Sequence, residues 1–504
     1  MTKTAGGAAR AARDGETAGA SRPSDTTGET GYREFQRARR AHWDAVTLGQ
    51  WVTRGWGGYY HRRLTEIYRF IVTPGQKVLD LGCGDGDLLA ALEPSVGVGV
   101  DFSDEALKRA RERHPHLRFI RADVHELDLG ETFDVIILSD LINDLWDVQT
   151  VLQRVARHAT PRTRVVLNFF SLLWKEPLNA ARRLGLASPL LPQNWLTRED
   201  VANLLSLAGF EPVRQWEEIL VPLGVPLLSR FANRFLVKIP PFHLAALTHV
   251  AVARPVPPPP LVATQRPSVS VIVAARNEAG NVDSIFARTP EMGAGTELIF
   301  VEGGSKDDTY GAIERAMARH PETRAKLLRQ TGTGKGDAVR LGLAEASGDV
   351  LMILDADFTV APEDLPRFYD ALVTNKGEFI NGVRLVYPME QQAMRLFNLV
   401  GNKFFSLAFS WLLGQPIKDT LCGTKVLWKS EYALIAANRD YFGDFDPFGD
   451  FDLIFGAARL DLKIVDLPIR YRARVYGETN IRRWRHGWLL LKMVAFAASR
   501  IKFT

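Results

Sequence analysis

Short apolar runs alternate with longer amphipathic stretches along most of the chain. Runs such as VLDL, VGVGV and VIIL are rich in β-branched residues and are typical of buried strands. Between such runs, apolar residues return at the spacing of one helix face. Strands that alternate with helices predict parallel sheets covered by helices, so we expect an α/β fold.

A proline-rich segment divides this alternation into two parts of similar size. Residues 255–260 read PVPPPP, and consecutive prolines donate no backbone hydrogen bond and favour an extended conformation. We therefore predict a semi-rigid linker over residues 255–267, between domains at 32–254 and 268–480. The predicted fold is two doubly wound α/β domains in series.

The two ends of the chain differ from these domains. Residues 1–31 nearly lack large apolar side chains, so we predict a disordered tail without the apolar core of a signal peptide. Residues 481–504 form a basic amphipathic segment. Its basic residues fit either a solvated face or a surface for phosphate or anionic lipid.

Composition adds few constraints. The 504 residues are 46% hydrophobic and 24% charged, which is enough apolar material for several cores. The two cysteines exclude a disulfide framework and fit a reducing compartment. No uninterrupted apolar run reaches the roughly 18 residues of a membrane-spanning helix, so we expect a cytoplasmic protein. The net charge of +5 is mild, and we expect no nucleic-acid partner.

Glycines and acids stand at the carboxyl ends of four predicted strands in the first half. VLDLGCGDGD at 78–87 has glycines at alternate positions, which permit a tight turn and close approach to a ligand. Asp101 ends the next strand at the spacing where doubly wound folds hold ribose hydroxyls. Asp123 and Ser139 end the third and fourth strands. Ligands bind at these strand ends, so we predict a nucleoside cofactor site.

Together these motifs resemble the class I S-adenosylmethionine-dependent methyltransferases, which have a Rossmann-like fold. The likeness runs from about Tyr59 to Arg254 and includes NWLTREDVANLLSLAGFEPV. By this resemblance, Asp80 and Gly82 face the methionine part of S-adenosylmethionine. Asp101 then faces the ribose and Asp123 the adenine. The implied cofactor site comprises Asp80, Gly82, Gly84, Asp101, Asp123 and Ser139.

The methyl acceptor is not indicated by the sequence. Such enzymes often act by proximity and orientation, with a modest base or none. The side chains that could face the acceptor, or could equally be helix caps or core residues, are His61, Asp140, Asn143, Asp144 and Trp146.

Polar loops follow apolar strands in the second half as well. The loops AARNEAGNV, VEGGSKDDT and GTGKGDAV come first, and then LMILDADFTV ends a strand in Asp355 and Asp357. Two acids that are two residues apart on a strand lie on one face. They can share Mg²⁺ or Mn²⁺, whose remaining ligands would be diphosphate oxygens.

In this order, the motifs resemble the family 2 inverting glycosyltransferases of GT-A fold. Within that family the closest likeness is to dolichyl- or polyprenyl-phosphate sugar synthases, whose later segments are matched by DTLCGTK and RVYGET. The resemblance implies a nucleotide diphosphate sugar as donor and a polyprenyl phosphate as acceptor. Glu302 departs from the usual pair of acids, because Gly303 follows it. The implied contacts to the nucleotide sugar are Ala274, Asn277, Glu278, Glu302, Lys335 and Asp355, and the implied metal ligands are Asp355 and Asp357.

Two acceptor chemistries remain open. A polyprenyl phosphate is already an anion and needs no strong base, and Arg474, then Arg384 and Lys425, could hold it. A glycan hydroxyl needs a carboxylate base, for which Asp450 and Asp452 are candidates. Asp452 could equally complement a helix dipole. In a third hypothesis, one half is a non-catalytic module that docks a partner or a membrane.

Two amphipathic stretches bear on the membrane. Residues 394–414 and 484–503 carry Phe or Trp on apolar stripes at helical spacing, with basic residues nearby. Such stripes suit the lipid interface, or they pack in the core or against the other half. Since a polyprenyl acceptor is reached at a membrane, we favour peripheral attachment to its inner face. The sequence thus predicts a bifunctional enzyme, a methyltransferase fused to a glycosyltransferase.

Overall fold

A computed structural model of the chain describes residues 26–48, 58–184, 191–256, 266–384, 386, 396–439, 449, 451–470 and 483–504. Most of the predicted linker and the whole RVYGET segment lie outside these ranges. None of the helices described is long and apolar enough to cross a membrane.

The first half contains one mixed sheet. Its strands are β1 Lys77–Leu81, β2 Val96–Asp101, β3 Arg118–Arg121, β4 Phe133–Leu138, β5 Ala159–Phe170, β6 Phe210–Glu218 and β7 Thr248–Pro255. They lie in the order β3-β2-β1-β4-β5-β7-β6. Strands β1 to β5 are parallel, whereas β7 is antiparallel to both β5 and β6. Its helices are α1 Thr26–Leu48, α2 Gly58–Ile71, α3 Asp87–Ala91, α4 Asp104–Arg113, α5 Val148–Ala156, α6 Lys175–Arg183, α7 Arg198–Leu207 and α8 Leu228–Arg234.

The second half contains another mixed sheet. Its strands are β8 Val269–Ala275, β9 Thr296–Glu302, β10 Arg324–Arg329, β11 Val350–Asp355, β12 Phe379–Val383, β13 Lys425–Trp428 and β14 Ile464–Pro468. Their order is β10-β9-β8-β11-β13-β12-β14, and β13 is antiparallel to both of its neighbours. Its helices are α9 Val282–Arg288, α10 Thr309–Arg319, α11 Lys335–Ala344, α12 Leu365–Val373, α13 Leu396–Leu413, α14 Lys429–Ala437, α15 Phe451–Arg459 and α16 Arg483–Ala497.

Each sheet is buried on both faces, as the apolar runs predicted. In β1, Leu79 and Leu81 join one apolar cluster while Val78 joins the other. In β11, Leu351 and Ile353 likewise lie in a different cluster from their neighbours along the strand. This alternation confirms the predicted α/β fold class. The strands that carry the motifs are parallel, as expected, whereas β7 and β13 are antiparallel to their neighbours. The pattern of strands alternating with helices did not reveal this, because an antiparallel strand can join the sheet without a helical crossover.

Buried ion pairs join the two halves. Glu378, just before β12, accepts hydrogen bonds of 2.8 Å from Arg164 of β5 and lies 3.3 Å from Arg254 of β7. Arg214 of β6 pairs with Asp461 at 2.5 Å. Each of these five side chains is at most 10% accessible to solvent. An unpaired charge would be costly there, so each half supplies the charges that the other requires.

Helix α1 begins inside the predicted tail. The tail was expected over residues 1–31, but α1 starts at Thr26. The reason is tertiary, because apolar and polar side chains of α1 contact the segments that follow β3 and β4. Ring centroids of Phe35 and Trp146 lie 5.2 Å apart, and Tyr32 contacts His125 at 5.3 Å.

The two amphipathic stretches pack in the core and also expose apolar side chains. Helices α13 and α16 contact each other, and Phe409 and Met493 lie in one apolar cluster. Their outer faces carry exposed Leu407 and Trp488, which are 73% and 63% accessible. Core packing therefore accounts for one face of each helix and leaves the other face exposed.

Candidate active sites

A glycine turn shapes the strand ends of the first sheet. Gly82 and Gly84 adopt positive φ angles of 74° and 53° after β1. The turn lets the Gly84 amide donate a 3.0 Å hydrogen bond to Asp101. A Cβ at Gly82 would lie 3.0 Å from Leu141. The turn therefore brings β1, β2 and the loop after β4 together, at the predicted place.

Asp80 is buried near the end of β1, just before this turn, and one of its carboxylate oxygens is unsatisfied in the described chain. The residue is 2% accessible, and in the described chain Oδ1 has no hydrogen-bond partner. Burial, with the nearby charge of Asp101, raises the pKa of Asp80 to about 8. A cationic amine would supply the missing donor and favour the ionised carboxylate. The ammonium of S-adenosylmethionine therefore fits this position.

Asp123 is the most heavily bonded of the predicted cofactor residues. Its Oδ1 accepts hydrogen bonds from the amide and ring of His125, at 2.9 and 2.8 Å. Tyr32 and Gln36 of α1 donate to Oδ2. Burial alone would raise the pKa of Asp123, but the hydrogen bonds from His125 and Gln36 hold it well below its ordinary value. Asp123 is thus an ionised acceptor at the edge of the site.

The loop after β4 carries a buried polar network beside Ser139. Asp140 accepts a 2.7 Å hydrogen bond from Tyr60 and another from Asn168. Tyr68 donates to Asn168 Oδ1 at 2.8 Å. Burial raises the pKa of Asp140. Sequence reasoning missed Tyr60 and Asn168, since neither stands at a strand end.

The other candidates for the acceptor side have different environments. Asn143 bonds to the backbone of Asn194 and Phe170, which fixes a loop. Asp144 pairs with Arg39 of α1 and accepts 2.8 Å from Trp43. Trp146 packs on α1, and His61 is exposed.

Helix α1 lies over the cofactor site. A cavity of about 40 Å³ lies between Gly82, Asp101 and Asp123 on one side and Phe35 and Arg39 on the other. Such a volume holds about one water molecule and no nucleoside. Sequence reasoning did not find this cover, although Tyr32, Phe35, Gln36, Arg39 and Trp43 recur at helical spacing and would have predicted one buried face.

The carboxyl ends of β8, β9 and β11 meet in the second half. Strand register places Asp355 opposite Ala274 and Glu302 opposite Ala275. Lys335, the first residue of α11, lies 2.6 Å from Asp355. Four of the predicted donor-site residues therefore lie at one sheet edge.

Asp355 is held ionised by surrounding cations. Burial alone would raise the pKa of Asp355, but Lys335, Arg384 and Lys425 hold it below its ordinary value. Gly423 packs directly against the carboxylate, since a Cβ there would lie 2.2 Å from Asp355 Oδ2.

Asp357 lies in the turn after β11. It accepts hydrogen bonds from the amide and hydroxyl of Thr359, at 3.1 and 2.7 Å. Among the residues described, no three His, Cys, Asp or Glu side chains form a ready metal centre. Asp355 and Asp357 offer two carboxylates as metal ligands. Two carboxylates suit a hard divalent cation whose remaining oxygen ligands come from a bound molecule or from water.

Hydrogen bonds fix the loops after β8 and β9 to each other. Asn277 adopts a φ of 59°, and its side chain accepts 2.7 Å from the Lys306 amide. The Glu278 amide donates to Thr309 at 3.0 Å. Glu302 accepts 2.6 Å from the Ser305 amide. Burial opposes ionisation of Glu302, but the bonds from Ser305 lower its pKa.

Arg384 and Lys425 belong to a buried charged layer. Arg384 makes two hydrogen bonds to the carboxylate of Asp419, at 2.7 and 2.9 Å. Lys425 is fully buried and donates to the Cys422 carbonyl. Both act on Asp355 through their charge.

Asp452 is buried within an ion-pair cluster. Its Oδ2 lies 3.1 Å from Arg340 of α11 and 3.4 Å from Arg439. Burial raises the pKa of Asp452 despite these arginines. The pairs tie α15 to α11, which carries Lys335. Arg474 and Asp450 lie outside the described residues.

In the comparison with known proteins, one family model matches part of each half. A model described as "Glycosyl transferase family 2" matches residues 270–425, and one described as "Methyltransferase domain" matches 78–162. The dolichol-phosphate mannosyltransferase of Pyrococcus furiosus is 33% identical over 247 residues, which cover 47% of this chain and 67% of that protein.

Two further proteins are similar to the chain. The dolichyl-phosphate hexose transferase of Haloferax volcanii is 26% identical over 231 residues, covering 45% of this chain and 92% of its own. The magnesium protoporphyrin IX methyltransferase from Synechocystis PCC 6803, whose crystal structure was determined with bound SAH, is 15% identical in sequence, with a TM-score of 0.33. The match covers 44% of this chain and 99% of that methyltransferase chain.

The family model and the mannosyltransferase both match the second half, and the methyltransferase model matches the glycine turn and the strands that follow it. The chain is therefore an enzyme that belongs to glycosyltransferase family 2 and carries a methyltransferase domain fused before its glycosyltransferase half.

Proposed function

We propose that the second half transfers a sugar, with inversion, from a nucleotide diphosphate sugar to a polyprenyl phosphate. The observation that carries this proposal is the ionised Asp355 at the meeting point of β8, β9 and β11, with Asp357 two residues later. Similarity to dolichol-phosphate mannosyltransferase supports the acceptor class.

The donor would lie against the three loops. Glu302 and the Asn277 loop would border the base and ribose, and Lys335 would face the diphosphate. Asp355 and Asp357 would hold Mg²⁺ or Mn²⁺, which when bound would neutralise charge on the leaving diphosphate. Because Lys335 already contacts Asp355 at 2.6 Å, its ammonium can turn from the carboxylate to the phosphates as the donor binds.

The transfer needs little proton chemistry with a phosphate acceptor. A phosphate oxygen forms the new bond to the anomeric carbon, while the bond from that carbon to the nucleoside diphosphate breaks. The diphosphate leaves with the electron pair. Since Asp452 is committed to Arg340 and Arg439, we assign it to holding α11 in place and not to base catalysis.

In the first half, we propose methyl transfer from S-adenosylmethionine. The unsatisfied Asp80 oxygen would accept from the ammonium, Asp101 would bind the ribose, and Asp123 would face the adenine. The bound cofactor would supply an electrophilic methyl group. Helix α1 would exclude water once it closes over the site.

We also propose that the enzyme works at a membrane surface. Exposed apolar side chains on α13 and α16, such as Leu407 and Trp488, share those helices with Lys403 and Lys492. Apolar side chains with basic neighbours suit an anionic lipid interface.

The deciding experiment measures label transfer from radiolabelled UDP- and GDP-sugars to a short polyprenyl phosphate, with Mg²⁺ or Mn²⁺. We expect label in the organic phase with the wild type and almost none with Asp357→Asn. Asp370→Asn is the matched control, because this aspartate is exposed on α12.

Two outcomes would redirect the proposal. If no donor labels the lipid although nucleotides bind, a glycan hydroxyl with Asp450 as base becomes the better reading. If Asp357→Asn retains full activity, the aspartate pair does not hold a required cation.

A further inference from the structure

A second cavity lies between the two halves, away from both proposed catalytic sites. Its volume is about 350 Å³, within the range of small-molecule sites. The methyltransferase half contributes α2, β6 and Lys238 to its walls. The glycosyltransferase half contributes the end of α13 and the last residues of the chain, including Lys502.

The polar lining has more positive than negative charge. Arg63, Arg214, Lys238 and Lys502 all line the cavity, against Glu66 and Glu218. Glu66 is exposed and pairs with Arg63 at 2.8 Å. Glu218 pairs with Lys238, accepts a 2.9 Å hydrogen bond from the Trp216 indole and lies 3.7 Å from Arg63.

Two nitrogen atoms at the cavity lack a carboxylate partner in the described chain, the Lys502 ammonium and Arg63 Nε, whereas the other two nitrogens of Arg63 donate to Glu66 at 2.8 Å and to the Thr504 carbonyl at 3.0 Å. Lys502 is half-buried, its ammonium lies 5.2 Å from the centre of the Trp411 ring, and it has no ion pair with a carboxylate in the described chain. Burial and the charge of Lys238 lower the pKa of Lys502 to about 8, although the charges of Glu218 and Glu217 oppose this shift. Arg63 Nε is buried and has no hydrogen-bond partner among the residues described. Because both residues line this cavity, an anionic ligand bound there would offer them acceptors.

Apolar side chains form the rest of the wall. Ile67 and Phe70 of α2 face the cavity from one half, and Leu412, Leu413 and Ile501 from the other. They are suited to an alkyl chain attached to the anionic group.

The apolar lining continues into a row of aromatic rings outside the cavity. Phe503 contacts Trp411 at 5.8 Å and Phe235 at 5.5 Å, and Phe235 contacts Phe231 at 5.7 Å. Trp411 and Phe231 are 40% and 54% accessible. A chain longer than the cavity therefore has an apolar surface to follow.

We propose that this cavity binds an amphiphile whose phosphate head is held by Lys502 and Arg63 and whose hydrocarbon chain lies against Ile67 and Leu413. A prenyl phosphate and a phospholipid share this chemistry. Since the ligand touches both halves, its binding stabilises their contact. This site is additional to the proposed acceptor site and does not depend on it.

The test is calorimetric titration of the full chain with geranyl phosphate, geraniol, inorganic phosphate and dihexanoyl phosphatidic acid. We expect a phosphate amphiphile to bind, and Lys502→Gln to weaken that binding by about tenfold or more. Lys108→Gln is the control, because this lysine is exposed on α4 and lies outside both the cavity and the proposed membrane surface. The thermal midpoint of each variant without ligand checks that it is folded.

The choice of ligands distinguishes a prenyl phosphate from a phospholipid, and it tests this site separately from the proposed function. Tighter binding of geranyl phosphate assigns a prenyl phosphate, and tighter binding of phosphatidic acid assigns a phospholipid. The proposal would be overturned if geraniol or inorganic phosphate bound the wild type as tightly as the phosphate amphiphiles do. It would also be overturned if Lys502→Gln bound every ligand as tightly as the wild type. If sugar transfer fails in every assay but the effect of Lys502→Gln persists, only the proposed function is wrong. Arg63→Gln provides a second variant from the other half, with the same expected loss.

Discussion

At the scale of single residues, the contact between Gly423 and Asp355 shows why a small side chain is required beside the acids. A methyl group at Gly423 would lie 2.2 Å from Asp355 Oδ2, so either β11 or the Gly423 loop must move. Displacement of Asp355 by a fraction of an ångström disturbs its contact with Lys335 and any cation that it holds.

We therefore predict that Gly423→Ala lowers kcat/KM for sugar transfer by about tenfold or more, equivalent to about 1.4 kcal/mol. The loss has a steric cause, so circular dichroism should remain unchanged. Gly401→Ala is the matched control, since a Cβ there meets no atom within 4 Å. Equal activity of both variants would show that the contact with Asp355 is unimportant.

At the scale of elements, α1 connects substrate access to local packing. Its Arg39 and Trp43 bond to Asp144, and Tyr32 and Gln36 bond to Asp123. The cavity beneath is too small for a nucleoside, so we expect these contacts to loosen before the proposed cofactor enters.

We expect Arg39→Ala to speed cofactor association severalfold, because the variant removes the ion pair between α1 and Asp144. Stopped-flow fluorescence would measure the rate, and hydrogen exchange would show less protection of α1 backbone amides. Arg37→Ala, on the exposed face of the same helix, should leave both unchanged. An unaltered association rate in Arg39→Ala would mean that α1 does not limit access.

At the scale of the whole molecule, the charged interface joins two domains that could have been independent. Glu378 belongs to the second sheet, and its arginine partners belong to β5 and β7 of the first. Burial alone would raise the pKa of Glu378, but Arg164 and Arg254 hold it below its ordinary value.

This shift predicts a pH dependence. A carboxyl whose pKa is lower in the folded state stabilises the protein above the unfolded value of about 4.3, and this contribution is lost as the pH falls below it. Glu378→Gln removes the carboxylate that pairs with the buried Arg164, while Arg254 keeps its pair with Glu211. The variant should lower the free energy of unfolding at pH 7 by about 3–5 kcal/mol. Denaturant unfolding at several pH values would show the gap to wild type narrowing below about pH 4.3. Glu314 is exposed, so Glu314→Gln should have the same free energy of unfolding as the wild type at each pH. If the difference between Glu378→Gln and the wild type did not change with pH, ionisation of Glu378 would not explain its contribution.

The local sequence determined the two folds and the strand ends where the candidate sites lie. Glycine turns, apolar strands and the acids that follow them, such as Asp80, Asp101 and Asp355, are set by a few neighbouring residues, and parallel strands bring their carboxyl ends to one edge. The family resemblances rest on the same short motifs, and they agree with the matched family models.

Only the tertiary structure decided the contacts between distant segments. Tyr32 meets Asp123 across 91 residues, and Arg164 meets Glu378 across 214. The cavity of Lys502 and Arg63 likewise exists only because the last residues of the chain fold back on α2. No local pattern encodes such pairings, because each depends on how whole elements pack. The sequence by itself therefore determined which chemistry the chain carries, and the packing of its two halves decided what covers those sites and what lies between them.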